Sequence, residues 1–453
     1  MCIRGGALWY SLAGVVCLCY LLLAASPDPS SNNGPSPGQA ETEQRCRPGD
    51  AKFLISLGDA LFRQSRFEQA ESAYRDALKI APQSARAHYG LGRIEQLRSH
   101  HEGARDRFAT AYRLDWRDPA VVLAYAAMVQ DSAARKVLLR NFLLLAGSGH
   151  GTEVSDAKAR LEIEEHLGSR ALSTLASPYR SYRLRLDPYI GPNHQAAGLL
   201  LKAGINGGKP LRLIVDTGAN GILVTQSAVR DAGLEFLAKA EIGGLGGQAP
   251  GGGRVALART VSIGDFQIEN CLLKVTDSKL ASGVDGVIGT NVFQEFLVRL
   301  DAPSSSLDLV ALAFADCERC EPAYRVGHLL LVRATLDGEN GGYFLLDSAA
   351  AYSAISRDIA RQPDGRETSL RGARGVTSGL VLSDPIRFQV GPVRLIESHP
   401  VALDLTQMSS QEGVEISGII GYSVLRDMIL TIDYRDGLVE FSRPGAAHFA
   451  SIH

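Results

Sequence analysis

The sequence predicts a multidomain chain: an α-helical repeat module followed by a larger all-β region built as two related lobes. Three observations predict it. Residues 51–146 carry apolar side chains at helical spacing, and the pattern recurs, Leu57-Gly58 returning as Leu91-Gly92. From about Tyr179 to Phe441 short apolar runs alternate with polar residues and are separated by glycine-rich turns, a strand signature. Inside that β region one set of short motifs occurs twice, in the same order and at nearly the same spacing.

Residues 1–26 are expected to act apart from the fold. Arg4 precedes an apolar run from Ala7 to Ala25, and small residues follow at Ala24, Ala25 and Ser26. This is the pattern of a secretory signal peptide, and the run is also long enough to span a bilayer uncleaved. Export to a periplasmic or extracellular space, or anchoring through residues 7–25, is the expectation. Val16 before Cys17 and Leu18 before Cys19 argue against a lipid-modified cysteine. Residues 27–50 are rich in Pro, Ser, Asn and Gly and read as a flexible linker.

Residues 51–170 form the expected helical module. Ala70, Tyr74 and Ala77 return as Ala104, Phe108 and Ala111, with Pro82 and Pro119 closing the first two units. Glycine and alanine let paired helices approach closely, and the aromatic ring fills the space between units. These residues resemble tetratricopeptide repeats. A third unit fits at Val122, Tyr125 and Ala126 with a short second helix, and a helix around Val154–Leu167 caps the stack. The resemblance implies a groove for a peptide or protein partner. A spacer or packing role fits the same residues.

The duplication inside the β region carries the chemistry. The first copy, LRLIVDTGANGILVT, centres on Asp216; the second, GYFLLDSAAAYSAIS, centres on Asp347. In each, an apolar strand runs into an Asp, then a hydroxyl residue (Thr217 or Ser348), then small residues, then another apolar strand. A second motif follows in each copy: Gly286-Val287-Ile288-Gly289 and Gly418-Ile419-Ile420-Gly421. The step from Asp216 to Gly289 matches the step from Asp347 to Gly421 to within a single position. Two motifs repeated in order at matching spacing point to an internal duplication, with lobe one at 179–315 and lobe two at 322–443.

These residues resemble the retropepsin-like aspartic proteases. The resemblance implies two acid-protease lobes that each supply one catalytic Asp, here Asp216 and Asp347, and no metal or organic cofactor. Two close carboxyls share one proton, so one takes a proton from water while the other protonates the peptide carbonyl; aspartic proteases are the general example of such sharing. Thr217 and Ser348 would hydrogen-bond across the lobe boundary, and Gly218 and Ala349 complete the supporting loops. Gly243, Gly244, Leu245, Gly246 and Gly247 resemble the glycine-rich flap that folds over a bound peptide. Arg371–Val376 is the matching stretch of lobe two. The substrate implied is a peptide or protein.

Ala349 departs from the family pattern, which has glycine there, and its methyl group would crowd the loop if the backbone needs positive φ. Three arrangements follow: the carboxyls pair within the chain, lobe one pairs with a second copy, or the fold serves binding without catalysis. Other chemistries fit poorly. Lys+Arg 47 against Asp+Glu 49 leaves no nucleic-acid footprint and no polybasic membrane surface, so the membrane enters only through the N-terminal segment. Gly244–Ala249 matches a dinucleotide fingerprint, but Pro250 and further glycines replace the required helix start. Ser423 lacks the flanking glycines of a nucleophile elbow. His100-His101-Glu102 has the wrong spacing for zinc and reads as a solvated turn. Asp301 and Asp433 read as turn or strand-end residues. Cys317 and Cys320 form a lone C-x-x-C, which reads as a local disulfide or as linker thiols.

Overall fold

The computed structural model describes residues 20–24 and 50–445, except 148–150, 169, 177–178, 192–193, 243–250, 312–318, 361–364 and 373–374. Among the described residues seven helices precede the β region: α1 (Ala51–Arg63), α2 (Phe67–Ile80), α3 (Ala85–Leu97), α4 (His101–Leu114), α5 (Pro119–Met128), α6 (Ser132–Leu145) and α7 (Gly151–Leu167). Short polar residues start several of them by accepting an otherwise orphaned backbone N–H: Asp50 from Lys52, Ser84 from Ala87, Asp118 from Ala120 and Asp131 from Ala134.

The repeat residues pack as their types require. The Tyr74 ring lies where a Cβ on Gly58 or Gly90 would come within 2.6 and 2.5 Å of it, and the Phe108 ring lies 2.6 Å from a Cβ built on Gly92. Glycine at these positions therefore admits the aromatic side chain. Two expectations for the third unit are corrected. Pro119 opens α5 at its first turn instead of closing the preceding unit, because a proline lacks an N–H that the first turn would leave unbonded anyway. The second helix is not short: α6 has 14 residues and α5 has 10. Leu138, Leu139 and Phe142 of α6 bury against Val122 and Ala126 of α5.

The β region follows the same course twice. In lobe one the strand Leu211–Asp216 pairs in parallel with Gly286–Gly289, which pairs on its other side, antiparallel, with Ile222–Thr225. In lobe two Glu339–Leu346 pairs in parallel with Gly418–Ile420, which pairs antiparallel with Ala354–Ser356. A six-stranded antiparallel sheet joins the lobes. Its order is Ser181–Ile190, Ser306–Val310, Leu297–Asp301, Ile429–Asp433, Leu438–Ser442, Glu321–Val326, three strands from each lobe. Leu297–Asp301 and Ile429–Asp433 meet at the centre, where Leu297 opposes Asp433 and Asp301 opposes Ile429.

Strand alternation sends side chains to two cores at once. Phe344 and Leu346 join the large apolar cluster that runs through both lobes. Tyr343 and Leu345 join another cluster containing Phe62, Phe67, Ala70, Tyr74, Leu91 and Ile94 of the helices. The Phe67 ring stacks on Tyr324 at 5.3 Å and lies 4.9 Å from Tyr343. The turns at Ser65 and Ser99, both with positive φ, face lobe two; Ser65 Oγ donates to the Glu415 carbonyl at 2.7 Å, and Glu415 N–H donates to Arg63 O at 2.7 Å. At the other end of the module Ala159, Ile163 and Leu167 of α7 pack on Val255 and Leu257 of lobe one, and Glu235 bonds to His166 and Arg170. The helices thus contact both lobes.

Among the described residues no helix is long and apolar enough to cross a membrane. The expected leader and linker lie outside the described residues apart from Tyr20–Ala24, a strand beside Gly365–Gly372, and Asp50. Cys320 is disulfide-bonded and Cys271 is a buried free thiol.

Because Phe67 is fully buried between helices and lobe two, Phe67→Ala is expected to destabilise the protein by about 3–5 kcal/mol. Urea unfolding followed separately by helix ellipticity and by tyrosine fluorescence checks this. Both signals should shift together, since one core serves both regions.

Candidate active site

Asp216 ends one buried strand and Asp347 directly follows another. Leu213 and Val215 anchor the first strand in the core of lobe one while Ile214 points to the opposite face. The inserted strand then fixes each loop from beneath. A Cβ on Gly286 or Gly289 would lie 2.3 Å from the carbonyl oxygens of Leu223 and Ala219, and one on Gly418 or Gly421 would lie 2.3 and 2.4 Å from those of Ala354 and Tyr352. Only glycine lets the backbone pass so close, which is why the Gly-x-x-Gly pair accompanies each Asp.

The two loops are joined by four reciprocal hydrogen bonds. Thr217 Oγ1 donates to Leu346 O at 2.8 Å and accepts from Ser348 N–H at 3.0 Å. Ser348 Oγ donates to Val215 O at 2.8 Å and accepts from Thr217 N–H at 3.1 Å. Each hydroxyl uses its donor and an acceptor on the opposite lobe, as a pseudo-twofold axis between the loops demands.

The carboxyls of Asp216 and Asp347 lie close enough for the charge of one to act on the other, and both have no exposed surface. Asp216 Oδ1 accepts from Gly218 N–H at 2.7 Å; Asp347 Oδ1 accepts from the N–H groups of Ala349 and Ala350, each at 2.9 Å. Burial, first, and the neighbouring charge of Asp347, second, hold the Asp216 carboxyl well above the usual carboxylate range, against the opposing pull of the Gly218 and Ala219 N–H groups.

Ala349 fits this loop. Among the described residues neither Gly218 nor Ala349 has a positive φ. The Ala349 side chain is buried in a cluster with Tyr189, Leu200, Ile214 and Val287 of lobe one. Its methyl group is therefore a contact across the lobe boundary.

Several residues around the loops carry no motif. His328 is buried and its Nε2 lies 3.1 Å from Gly218 O. Thr290 and Tyr434 share a 2.5 Å hydrogen bond between buried hydroxyls, and the Arg325 guanidinium lies 5.3 Å from the centre of the Tyr434 ring. Asn291 binds Gly221 N–H and Asn220 in lobe one. The corresponding Ser423, placed after Gly421 as Asn291 is after Gly289, binds Glu397 in lobe two, and the buried Glu397 also accepts from the N–H groups of Ser353 and His399. Superposing the two sequence copies would have marked these positions, since a residue that differs between otherwise matched copies has a local reason to differ.

The expected flap, Gly243, Gly244, Leu245, Gly246 and Gly247, lies outside the described residues; Glu235–Ile242 and Gly251–Ile263 are the paired strands that lead to it. In lobe two Gly365–Gly372 pairs with Gly375–Leu382. Asp301 and Asp433 sit at strand ends, Asp301 accepting from Ser304 N–H and Asp433 held by the Arg435 side chain. His101 is not the solvated residue the sequence suggested. It is half-buried, and burial together with the nearby Arg325 charge lowers its pKa, because the turn between α3 and α4 faces lobe two.

Residues 201–292 match the model of a family described as aspartyl protease, and residues 55–119 match a tetratricopeptide repeat model. The chain thus combines tetratricopeptide-type repeats at its N-terminal side with an aspartyl-protease-type region after them. The crystal structure of an aspartic proteinase from Irpex lacteus is similar over 58% of this chain and 98% of its own, with 12% identity and a TM-score of 0.39. Among curated proteins none matches.

A carboxyl whose pKa is raised by folding holds a proton that the unfolded chain releases, so stability falls as pH rises above the ordinary aspartate value of about 3.9. Asp216→Asn removes that penalty. Its melting temperature is expected to exceed that of the wild type at pH 7, with the difference closing below about pH 3.9; melting curves across pH measure it.

Proposed function

We propose that the chain is an aspartic endopeptidase whose Asp216 and Asp347 activate a water for attack on a peptide bond. The observation that carries the reading is the reciprocal Thr217–Ser348 link, which fixes two buried carboxyls against each other. A water bridging them loses a proton to the ionised carboxylate as its oxygen bonds to the peptide carbon. The protonated carboxyl gives its proton to the carbonyl oxygen. Collapse of the tetrahedral intermediate breaks the C–N bond, and a proton passes to the leaving nitrogen. Rigid placement of both carboxyls matters because these transfers need aligned donors and acceptors at hydrogen-bond distance.

The expected substrate is a peptide or protein, admitted between the two hairpins. In this reading the helical module braces lobe two through the Ser65 and Ser99 turns and lobe one through α7, and any protein partner would use its remaining surface. The apolar run Ala7–Ala25 supports export or tethering to a membrane.

Casein digestion followed by mass spectrometry, from pH 3 to 7, tests the reading. Wild type is expected to cleave, and Asp216→Asn and Asp347→Asn to lose at least about 100-fold. Equal cleavage by wild type and Asp216→Asn would sink the mechanism. Folded wild type that binds casein without cutting it would favour a binding module.

A further inference from the structure

The two lobes anchor the limb of chain that leaves each Asp by different means. In lobe one a single carboxamide does it: Asn291 Oδ1 accepts from Gly221 N–H at 3.0 Å, while its Nδ2 donates to Asn220. The corresponding position in lobe two holds Ser423, whose side chain is shorter. Its hydroxyl still accepts from the limb, from Ser353 N–H, but at 3.2 Å. One residue more separates Asp347 from Ser353 than separates Asp216 from Gly221, so the limb to be held is also longer.

Glu397 makes up the difference. It ends the strand Val393–Glu397, outside both loop motifs, and is buried. Its Oε2 accepts from Ser353 N–H at 3.0 Å and from the Ser423 hydroxyl, and its Oε1 accepts from His399 N–H at 2.9 Å. Two carboxyl oxygens have acceptor sites enough for all three donors. From there the path to Asp347 is short. Ser353 Oγ accepts from Gly421 N–H at 3.0 Å, and the carbonyl of Ile420, the residue before Gly421, accepts from Asp347 N–H at 3.1 Å. Ser423 N–H donates to Ala351 O at 3.2 Å, closing the turn over the limb. Lobe one also carries a glutamate at the matching strand position. Glu269 stands four residues before Leu273, the parallel partner of Ile222, as Glu397 stands four before Val401, the parallel partner of Ala354. Glu269 is exposed, and the loop beside it is anchored through Asn291 instead.

We propose that Glu397 is a positioning residue for Asp347, acting through Ser353 and Ser423 to fix the loop that presents that carboxyl. A glutamate from a neighbouring strand and a serine do together in lobe two what one asparagine does in lobe one. The effect on turnover rests on the peptidase reading; the effect on the loop does not.

Hydrogen exchange at the Asp347 and Ser353 N–H groups, read by NMR, reports on the loop directly. Glu397→Leu removes the acceptor and keeps the bulk. It should speed exchange at both groups by about tenfold or more. Casein cleavage should lose about 10- to 100-fold in kcat while KM stays within about twofold, since the loss is of alignment and not of substrate binding. Ser423→Asn added to Glu397→Leu copies lobe one, offering the Ser353 N–H a carboxamide oxygen, and should bring both readings back to within about threefold of wild type. Glu397→Gln, which keeps one acceptor oxygen, serves where the Leu variant does not fold and should give a smaller change in the same direction. A residue that merely supports the core would lower the melting temperature yet leave exchange at Asp347, and kcat well below melting, at wild-type values. That result, or a double variant no better than Glu397→Leu, would overturn the proposal. Casein left uncut by wild type would end the peptidase reading, while exchange at Asp347 would still decide whether Glu397 holds the loop.

Discussion

The structure depends on holding two acidic side chains against each other out of water. An isolated buried carboxylate is strongly disfavoured, and two together repel if both are charged. The fold meets this with donors placed by the backbone: Gly218 at one carboxyl, Ala349 and Ala350 at the other. Those donors stay in place because Thr217 and Ser348 are bonded through the opposite loop. Loss of either hydroxyl would leave a buried N–H and a buried carbonyl in the other lobe without their partner, so neither loop is independent of the other. The glycine pairs beneath the loops and the six-stranded sheet joining the lobes serve the same arrangement from further away.

Much of this was legible in the sequence because it was written twice. A single Asp-Thr-Gly has little meaning, but a strand, an acid, a hydroxyl and a distant Gly-x-x-Gly repeated at matching spacing define a lobe and its partner. The glycines were legible for a physical reason, since backbone passing within 2.4 Å of where a Cβ would sit tolerates nothing larger. The helix pairs were legible from Tyr74 and Phe108, whose rings need glycine opposite them. The boundaries around Pro119 were not, because a proline ends one helix or begins the next with equal ease and the packing of α5 decides which. His101 was misread because nothing local to the turn says that lobe two covers it; that contact joins positions far apart along the chain.

The least legible features are those in which the copies diverge. Ala349 read as a defect when judged by loop geometry alone. In the folded chain its methyl group meets lobe-one residues across the boundary, and the backbone there needs no positive φ. Asn291 and Ser423 occupy corresponding places but anchor different partners, an asparagine network in one lobe and the buried Glu397 in the other. Each lobe is therefore adapted to its own surroundings while the hydroxyl link stays symmetric. Duplication supplies two carboxyls with the same geometry; divergence around them is what can give the two different work.

The helical module bears on the same site from two directions. Its first turns share a core with Tyr343 and Leu345, on the strand that leads into Asp347. Its last helix packs on lobe one and binds Glu235, the first residue of the strand leading toward the glycine-rich tip. Helices stacked side by side form a stiff body, because each unit buries its apolar face on the next. A stiff body fixed to both lobes resists their separation, adding to the interlobe sheet and the hydroxyl link. The repeats thus meet lobe two through the core that holds Leu345 and lobe one through α7 and Glu235, so one helical body spans both.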